Sequence, residues 1–208
     1  MIVQQFLLVR KELGHKFIIS PAGVYSLMLI GITGTDGAGK GAVVKYLVEK
    51  KGFTHYSSRA LITEKIIKRR KPVNRESMRL VANELRKEHG NDVIVQLSLQ
   101  KARAENTPNF IIESIRAFAE VQALHQAGGM LLAVDANQNA RFRRITGRKS
   151  ESDNVTFAEF IAHEKLEMND PDPNGMQKAQ VMEAADYTIM NDGSLKELGE
   201  QLEIFFTR

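Results

Sequence analysis

The stretch Gly34-Thr35-Asp36-Gly37-Ala38-Gly39-Lys40-Gly41 stands between the apolar run Leu27-Met28-Leu29-Ile30 and the segment Ala42-Val43-Val44-Lys45-Tyr46-Leu47-Val48. The first run has the pattern of a buried strand, while Val43/Leu47 and Val44/Val48 recur at helical spacing, so the glycines fall on a strand-to-helix turn. Glycines let the backbone curl there until successive N–H groups point inward. The dipole of the following helix adds roughly half a positive charge at the same point. In that context Gly34-x4-Gly39-Lys40 reads as a phosphate-binding loop spanning Gly34 to Ala42, with Lys40 placed to reach the β- and γ-phosphates of a nucleotide. One position departs from the usual pattern. Gly41 follows Lys40 where Ser or Thr commonly offers Mg²⁺ a hydroxyl, and Ala42 offers none, so the sequence predicts a metal held through water.

The whole chain sets the bounds. Its 208 residues suit one α/β domain with a buried core, and 43% hydrophobic with 26% charged residues is ordinary for a globular protein. A net charge of +4 favours anionic ligands but is too modest to argue for nucleic acid. The absence of cysteine excludes disulfides and thiolate metal sites and fits a cytoplasmic protein. No apolar run approaches the ~18 residues of a membrane span. Residues 1–27 carry apolar patches at Ile2, Val3 and Phe6 to Val9, with a turn signal at Ser20-Pro21-Ala22-Gly23. They read as an N-terminal extension outside a catalytic fold, which begins near Met28.

Downstream, strand and helix patterns alternate. Phe53 to Tyr56 reads as a second strand. Helices follow from Ser57 to about Lys71, from the cap Asn74 to Gly90, and from Asp92 to about Arg103. In Asn109-Phe110-Ile111-Ile112-Glu113-Ser114-Ile115-Arg116 an apolar strand ending in a carboxylate delivers that carboxylate to the C-terminal edge of a parallel sheet, where open α/β folds bind ligands. Glu113 there suits ordering of Mg²⁺ waters, as does Asp36, or proton acceptance from an attacking oxygen. Arg116 suits a phosphate clamp. Met130 to Asp135 makes a fourth strand, with Asp135 read as a helix cap. Arg141, Arg144 and Arg148 share one helix face and concentrate positive charge, either for a transferred phosphoryl group or simply as a solvated basic face. Tyr187 to Met190 is a fifth strand, followed by a turn and a last helix. The prediction is a three-layer fold with a five-stranded parallel sheet and helices on both faces.

The loop with Gly after its lysine, Ile112-Glu113-Ser114-Ile115-Arg116, the arginines 144 and 148, and Ala185-Asp186-Tyr187-Thr188-Ile189-Met190-Asn191-Asp192-Gly193-Ser194 together resemble the P-loop nucleoside monophosphate kinase superfamily. The similarity is greatest to its dephospho-CoA-kinase-like branch and spans about residues 28–207. The stretch Thr35 to Lys40 also resembles thymidylate kinases. The resemblance implies a core, an acceptor-binding segment at about 57–105 and a lid at about 141–170. It implies ATP with Mg²⁺, lid arginines at Arg144 and Arg148, and the turn from Asn191 to Gly193 beside the adenine. Dephospho-CoA kinases carry an aspartate after the second strand, where Tyr56-Ser57-Ser58-Arg59 stands here. That favours a phosphate-bearing acceptor gripped by Arg59, Arg86 and Arg116, with Asn83 on the same segment.

These readings lead to an ATP-dependent small-molecule kinase acting on a nucleotide or nucleotide-like acceptor, as monomer or homodimer, with neither nucleic acid nor membrane as partner. The rival is a regulatory protein that binds ATP without transferring phosphate. No Asn-Lys-x-Asp guanine signature occurs. Zinc deaminase chemistry, joined to some related kinases, needs cysteines that the chain lacks.

Overall fold

The computed structural model describes residues 8–10, 16–20, 23–148, 155–171 and 175–207, with no side-chain detail before Met28 or at Arg75 and Arg79. Strands β1 (Leu8–Arg10) and β2 (Lys16–Ser20) lead into the long β3 (Gly23–Gly34). After the loop come α1 (Lys40–Lys51), β4 (Thr54–Tyr56), α2 (Ser58–Lys68), α3 (Arg75–His89) and α4 (Val93–Ala104). Next are β5 (Asn109–Glu113), α5 (Phe118–Gln126), β6 (Met130–Asp135) and α6 (Gln138–Gly147). The chain continues with α7 (Phe157–Met168), α8 (Lys178–Glu183), β7 (Tyr187–Met190) and α9 (Leu195–Phe206).

Five strands run parallel in the order β4-β5-β3-β6-β7. The strand period of two sorts their side chains onto two faces. Ile30, Ile32, Ile111, Leu132, Val134 and Ile189 point to one core with Val43 and Leu47 of α1 and Leu198, Leu202 and Phe205 of α9. Their neighbours Leu29, Phe110, Ile112 and Leu131 point to the other, with Val95 and Leu99 of α4, Val121 and Leu124 of α5 and Val181 of α8. The sheet is thus covered on both faces, as expected. A satellite core of Ile62, Ile66, Val81, Leu85, Val93 and Ile94 binds α2, α3 and α4 together as the 57–105 segment.

The strand β3 serves two pairings. Gly23 to Leu27 pairs antiparallel with β2, and Met28 onward pairs parallel with β5 and β6. The predicted turn lies between Ser20 and Gly23, which pair with each other; residues 21 and 22, like the apolar residues Ile2 to Leu7, lie outside the described residues.

Because β5 and β6 flank β3 on opposite sides, the loop leaving β3 sits where the strand order reverses, between the C-terminal ends of both neighbours. At the strand ends one expectation is borne out and one is corrected. β5 ends at the carboxylate Glu113, as expected, and Ser114 follows with φ +64. Asp135 does not cap α6; Asn137 does, its side chain accepting from the Asn139 N–H at 3.0 Å.

Candidate functional site

The loop between β3 and α1 is shaped by its neighbours. Gly34 has φ +134, and a Cβ there would lie 2.0 Å from the Val134 carbonyl oxygen of β6. Gly39 has φ +104, and its Cβ would lie 2.2 Å from Asn191 Nδ2. No other residue type fits either position. Asn191 Nδ2 donates to the Ala38 carbonyl at 2.7 Å, and Arg144 Nη2 donates to the Asn191 carbonyl at 2.7 Å. Arg144 Nη1 also lies 3.4 Å from the Ala38 oxygen and 3.5 Å from the Gly37 oxygen. Thr35 Oγ1 donates to Asp135 Oδ1 at 2.5 Å, which ties the loop to the end of β6.

Lys40 folds back into the loop. Its Nζ donates to the carbonyls of Gly34 and Thr35 at 2.8 Å each and lies 3.6 Å from Asp36 Oδ1. Burial, with Lys178 and Arg116 adding repulsion and Asp36 opposing them, pushes the Lys40 ammonium down to about 8. Asp36 is also met by Lys178 Nζ at 3.0 Å. Partial burial alone would raise its carboxyl, but Lys178, Lys40 and Arg116 together hold it well below the usual carboxylate range. Lys178 is buried and bonded in addition to Glu167 of α7.

Arg141 is buried too. Its Nε donates to the Ala136 carbonyl at 2.9 Å, its guanidinium is paired with Glu164 of α7, and it lies over the Phe160 ring. The expected shared basic face of Arg141, Arg144 and Arg148 is therefore divided. The first is neutralised by Glu164 of α7, the second supports the loop, and the third is exposed with no side-chain hydrogen bond or ion pair among the described residues.

On the β5 side, Glu113 accepts from Ser57 Oγ at 3.1 Å, and His55 Nε2 lies 3.4 Å from the same oxygen. The imidazole, more than the serine and the distant Lys40, holds this carboxyl below its ordinary range against partial burial. Ser58 Oγ donates to the Glu113 carbonyl at 2.6 Å, fastening the start of α2 to the strand end. Arg116 lines a crevice with Thr33, Gly34, Lys40, Ser114, Ile115 and Lys178 that leaves no room for a water molecule. Arg86 of α3 is 8% exposed; Nη1 donates to Asn83 Oδ1 at 3.3 Å, while its buried Nε has no hydrogen-bond partner. Both arginines face the buried Glu120 electrostatically.

Among the predicted residues, then, Thr35, Asp36, Gly37, Ala38, Lys40, Arg144 and Asn191 converge on the loop, with Glu113 and Arg116 at its β5 flank. Gly41 and Ala42 lie at the start of α1, and a Cβ on Gly41 would meet nothing within 4 Å. Gly193 is exposed, with Glu197 filling the space beside it. Arg59 is exposed and its side chain makes no hydrogen bond or ion pair among the described residues. No cluster of three or more His, Asp or Glu suited to a metal occurs among the described residues. The isolated carboxylates Asp36 and Glu113 fit Mg²⁺ that keeps several of its waters, the habit of that ion. Sequence reading missed Lys178 and undervalued Asp135. A strand-end acid beside a glycine-rich loop was a usable signal for Asp135; a lone lysine opening a short helix gave none for Lys178.

Residues 30–172 match the AAA domain family. A UPF0200 protein of Methanococcus maripaludis strain C7 is 31% identical over 180 residues, covering 85% of this chain and 94% of its own. The chain belongs to the AAA domain family and to the UPF0200 proteins. Another UPF0200 protein, from Methanothermobacter thermautotrophicus, is 29% identical, covering 85% and 87%. Among solved structures, this UPF0200 chain is similar to the shikimate kinase of Bacteroides thetaiotaomicron. The TM-score is 0.55 at 17% identity, covering 87% of this chain and 99% of that one. It is also similar to the Thermus thermophilus protein TT1252, with TM-score 0.55 at 22% identity, covering 87% and 97%. At these identities the likeness is one of fold, and that fold is the P-loop kinase type. No helix among the described residues is long and apolar enough to cross a membrane.

Proposed function

We infer that this protein is an ATP-dependent kinase that transfers the γ-phosphoryl group to a nucleotide or nucleotide-like acceptor in the cytoplasm. The observation that carries the reading is the set of cations at the loop mouth. Lys40, Arg116 and Lys178 border one crevice at the β5 side of the loop, the side to which Ser57 and Ser58 fasten the segment from α2 to α4 that would receive the acceptor. Buried Arg86, with an unpartnered Nε, supports an anionic group on that acceptor, since an unpaired buried guanidinium nitrogen calls for a ligand oxygen.

In the reaction, the N–H groups of Thr35 to Gly41 hold the triphosphate, Lys40 leaves its carbonyl partners for the β- and γ-oxygens, and Arg144 with Asn191 keeps the loop in shape beside the base. Bound Mg²⁺, held through water by Asp36 and Glu113, would neutralise charge on the same oxygens. Arg86, Asn83 and Arg116 orient the acceptor. Its oxygen attacks the γ-phosphorus as the bond to the β-phosphate oxygen breaks and ADP leaves. A hydroxyl acceptor gives its proton to Glu113, whereas a phosphate acceptor has none to give. Arg148 and Arg59, exposed here, are available to close over the substrates from the lid and the acceptor segment.

The test is ADP release on incubation of the full chain with MgATP and each of a panel of nucleoside monophosphates and dephospho-CoA. Acceptor-dependent ADP is expected with at least one of them. ATP binding without acceptor-dependent ADP would favour the second reading, a non-catalytic ATP sensor. That reading draws its support from Gly41 in place of a hydroxyl residue and from Lys40 turned onto its own loop.

A further inference from the structure

Lys178 is the first residue of α8 and only 4% exposed. A buried ammonium is costly unless anions surround it, and two do: Asp36 from the loop, at 3.0 Å, and Glu167 from α7, in direct hydrogen bond. Glu164, three residues earlier on α7, pairs with Arg141, whose Nη1 lies 3.4 Å from the Asp36 carbonyl oxygen. Positions three apart share a helix face, so α7 lays two carboxylates over the phosphate loop and fastens each to a buried cation. The crevice that Lys178 lines with Lys40 and Arg116 is at the β5 side of the loop, bordered by Ser114 and Ile115, so Lys178 shares the space of the lysine that would reach the outer phosphates of a seated triphosphate. Protein carboxylates thus stand where ligand anions are expected.

We propose that Lys178 is a further phosphate-binding cation of the nucleotide site, addressing the terminal phosphate, and that Glu167 of the lid occupies it until the nucleotide arrives. The proposal rests on the reading that the loop binds ATP. When the γ-phosphate takes Lys178, Glu167 is released, while the Arg141–Glu164 pair still anchors the other end of the same helix face. Nucleotide occupancy and the position of α7 are thereby linked, and ATP, but not ADP, disengages that half of the clamp.

The experiment titrates MgATP and MgADP separately into the full chain and into the variants Lys178→Met and Glu167→Gln, with thermal unfolding of each. Lys178→Met keeps the apolar stem and is expected to weaken MgATP about tenfold or more, the scale of one charge-assisted hydrogen bond, with a much smaller effect on MgADP. Glu167→Gln removes the competitor and is expected to tighten MgATP severalfold while leaving MgADP nearly unchanged. A merely structural ion pair predicts the same sign for both variants. Weakening by both, or no change in MgATP affinity in a folded Glu167→Gln protein, overturns the proposal while leaving the nucleotide site intact. If Lys178→Met does not fold, the sign of the Glu167→Gln effect decides alone. A wild-type chain that binds neither nucleotide removes the underlying reading together with the proposal.

Discussion

Lys40 is a single residue whose environment makes a measurable prediction. Its ammonium titrates near 8 in the folded chain, against 10.5 for a free lysine. The folded state therefore holds this proton less tightly than the unfolded chain does. The charged lysine costs stability below about pH 8, and that cost is relieved as pH rises from about 8 to 10.5, where the unfolded chain binds more protons. Phosphate oxygens reverse the balance by stabilising the charged form. Binding of MgATP at pH 8.5 is expected to take up a proton, up to about one per site, and to weaken as pH climbs further. Calorimetry in buffers of different ionisation enthalpy reads this directly; proton release, or affinity that rises with pH, would contradict it. At this scale the sequence was legible where the constraint is local. Gly34 and Gly39 are demanded by a backbone turn a few residues long, so their spacing betrays them. The bond from Lys178 to Asp36 spans 142 residues and that from Thr35 to Asp135 spans 100, and no local pattern encodes either.

Among the elements, α5 shows how a buried acid can be structural. Its N-terminus carries no Ser, Thr, Asp or Asn cap; instead the Glu120 carboxylate, one turn in, accepts the N–H groups of Arg116 at 2.7 Å and Ala117 at 3.0 Å. Burial pushes Glu120 upward, opposed by Arg86, by those two N–H groups and by Arg116. The carboxylate thus orders the turn after β5 that presents Arg116 to the loop. Replacing it removes the cap and leaves the N–H groups of Arg116 and Ala117 without an acceptor. Glu120→Ala is expected to cost roughly 2–4 kcal/mol, the penalty for leaving two largely buried N–H groups without an acceptor, read from the urea midpoint. A loss below 1 kcal/mol would show that the carboxylate does not hold this turn. Most element boundaries were readable because caps and periodicity agree: Asn74 accepts from the Ser77 N–H at 2.8 Å, as its position before an amphipathic run predicts. The strand end at Glu113 was readable too, the apolar run stopping at a carboxylate, whereas the positive φ of Ser114 was not, being a backbone angle that a serine seldom takes.

At the scale of the whole molecule, the order β4-β5-β3-β6-β7 brings four distant segments to one rim: the loop, the turn after β5, the end of β6 and the residues after β7. Alternation of strand and helix made that architecture legible, while the antiparallel pairing of β2 with the first part of β3 was not foreseen. None of the parallel pairings uses a residue before Met28. A chain beginning at Met28 is accordingly expected to fold cooperatively and bind MgATP as the full chain does, and a truncated protein unable to fold would assign residues 1–27 to the core.

The account turns on the bend from Gly34 to Gly41 as a seat for a triphosphate. The most direct measurement is calorimetric titration of a non-hydrolysable MgATP analogue into the full chain and into Lys40→Ala, with circular dichroism of both. The account predicts one saturable site in the native chain, weakened about tenfold to a hundredfold in the variant, with the spectra unchanged. Equal affinity in the two folded proteins would contradict it.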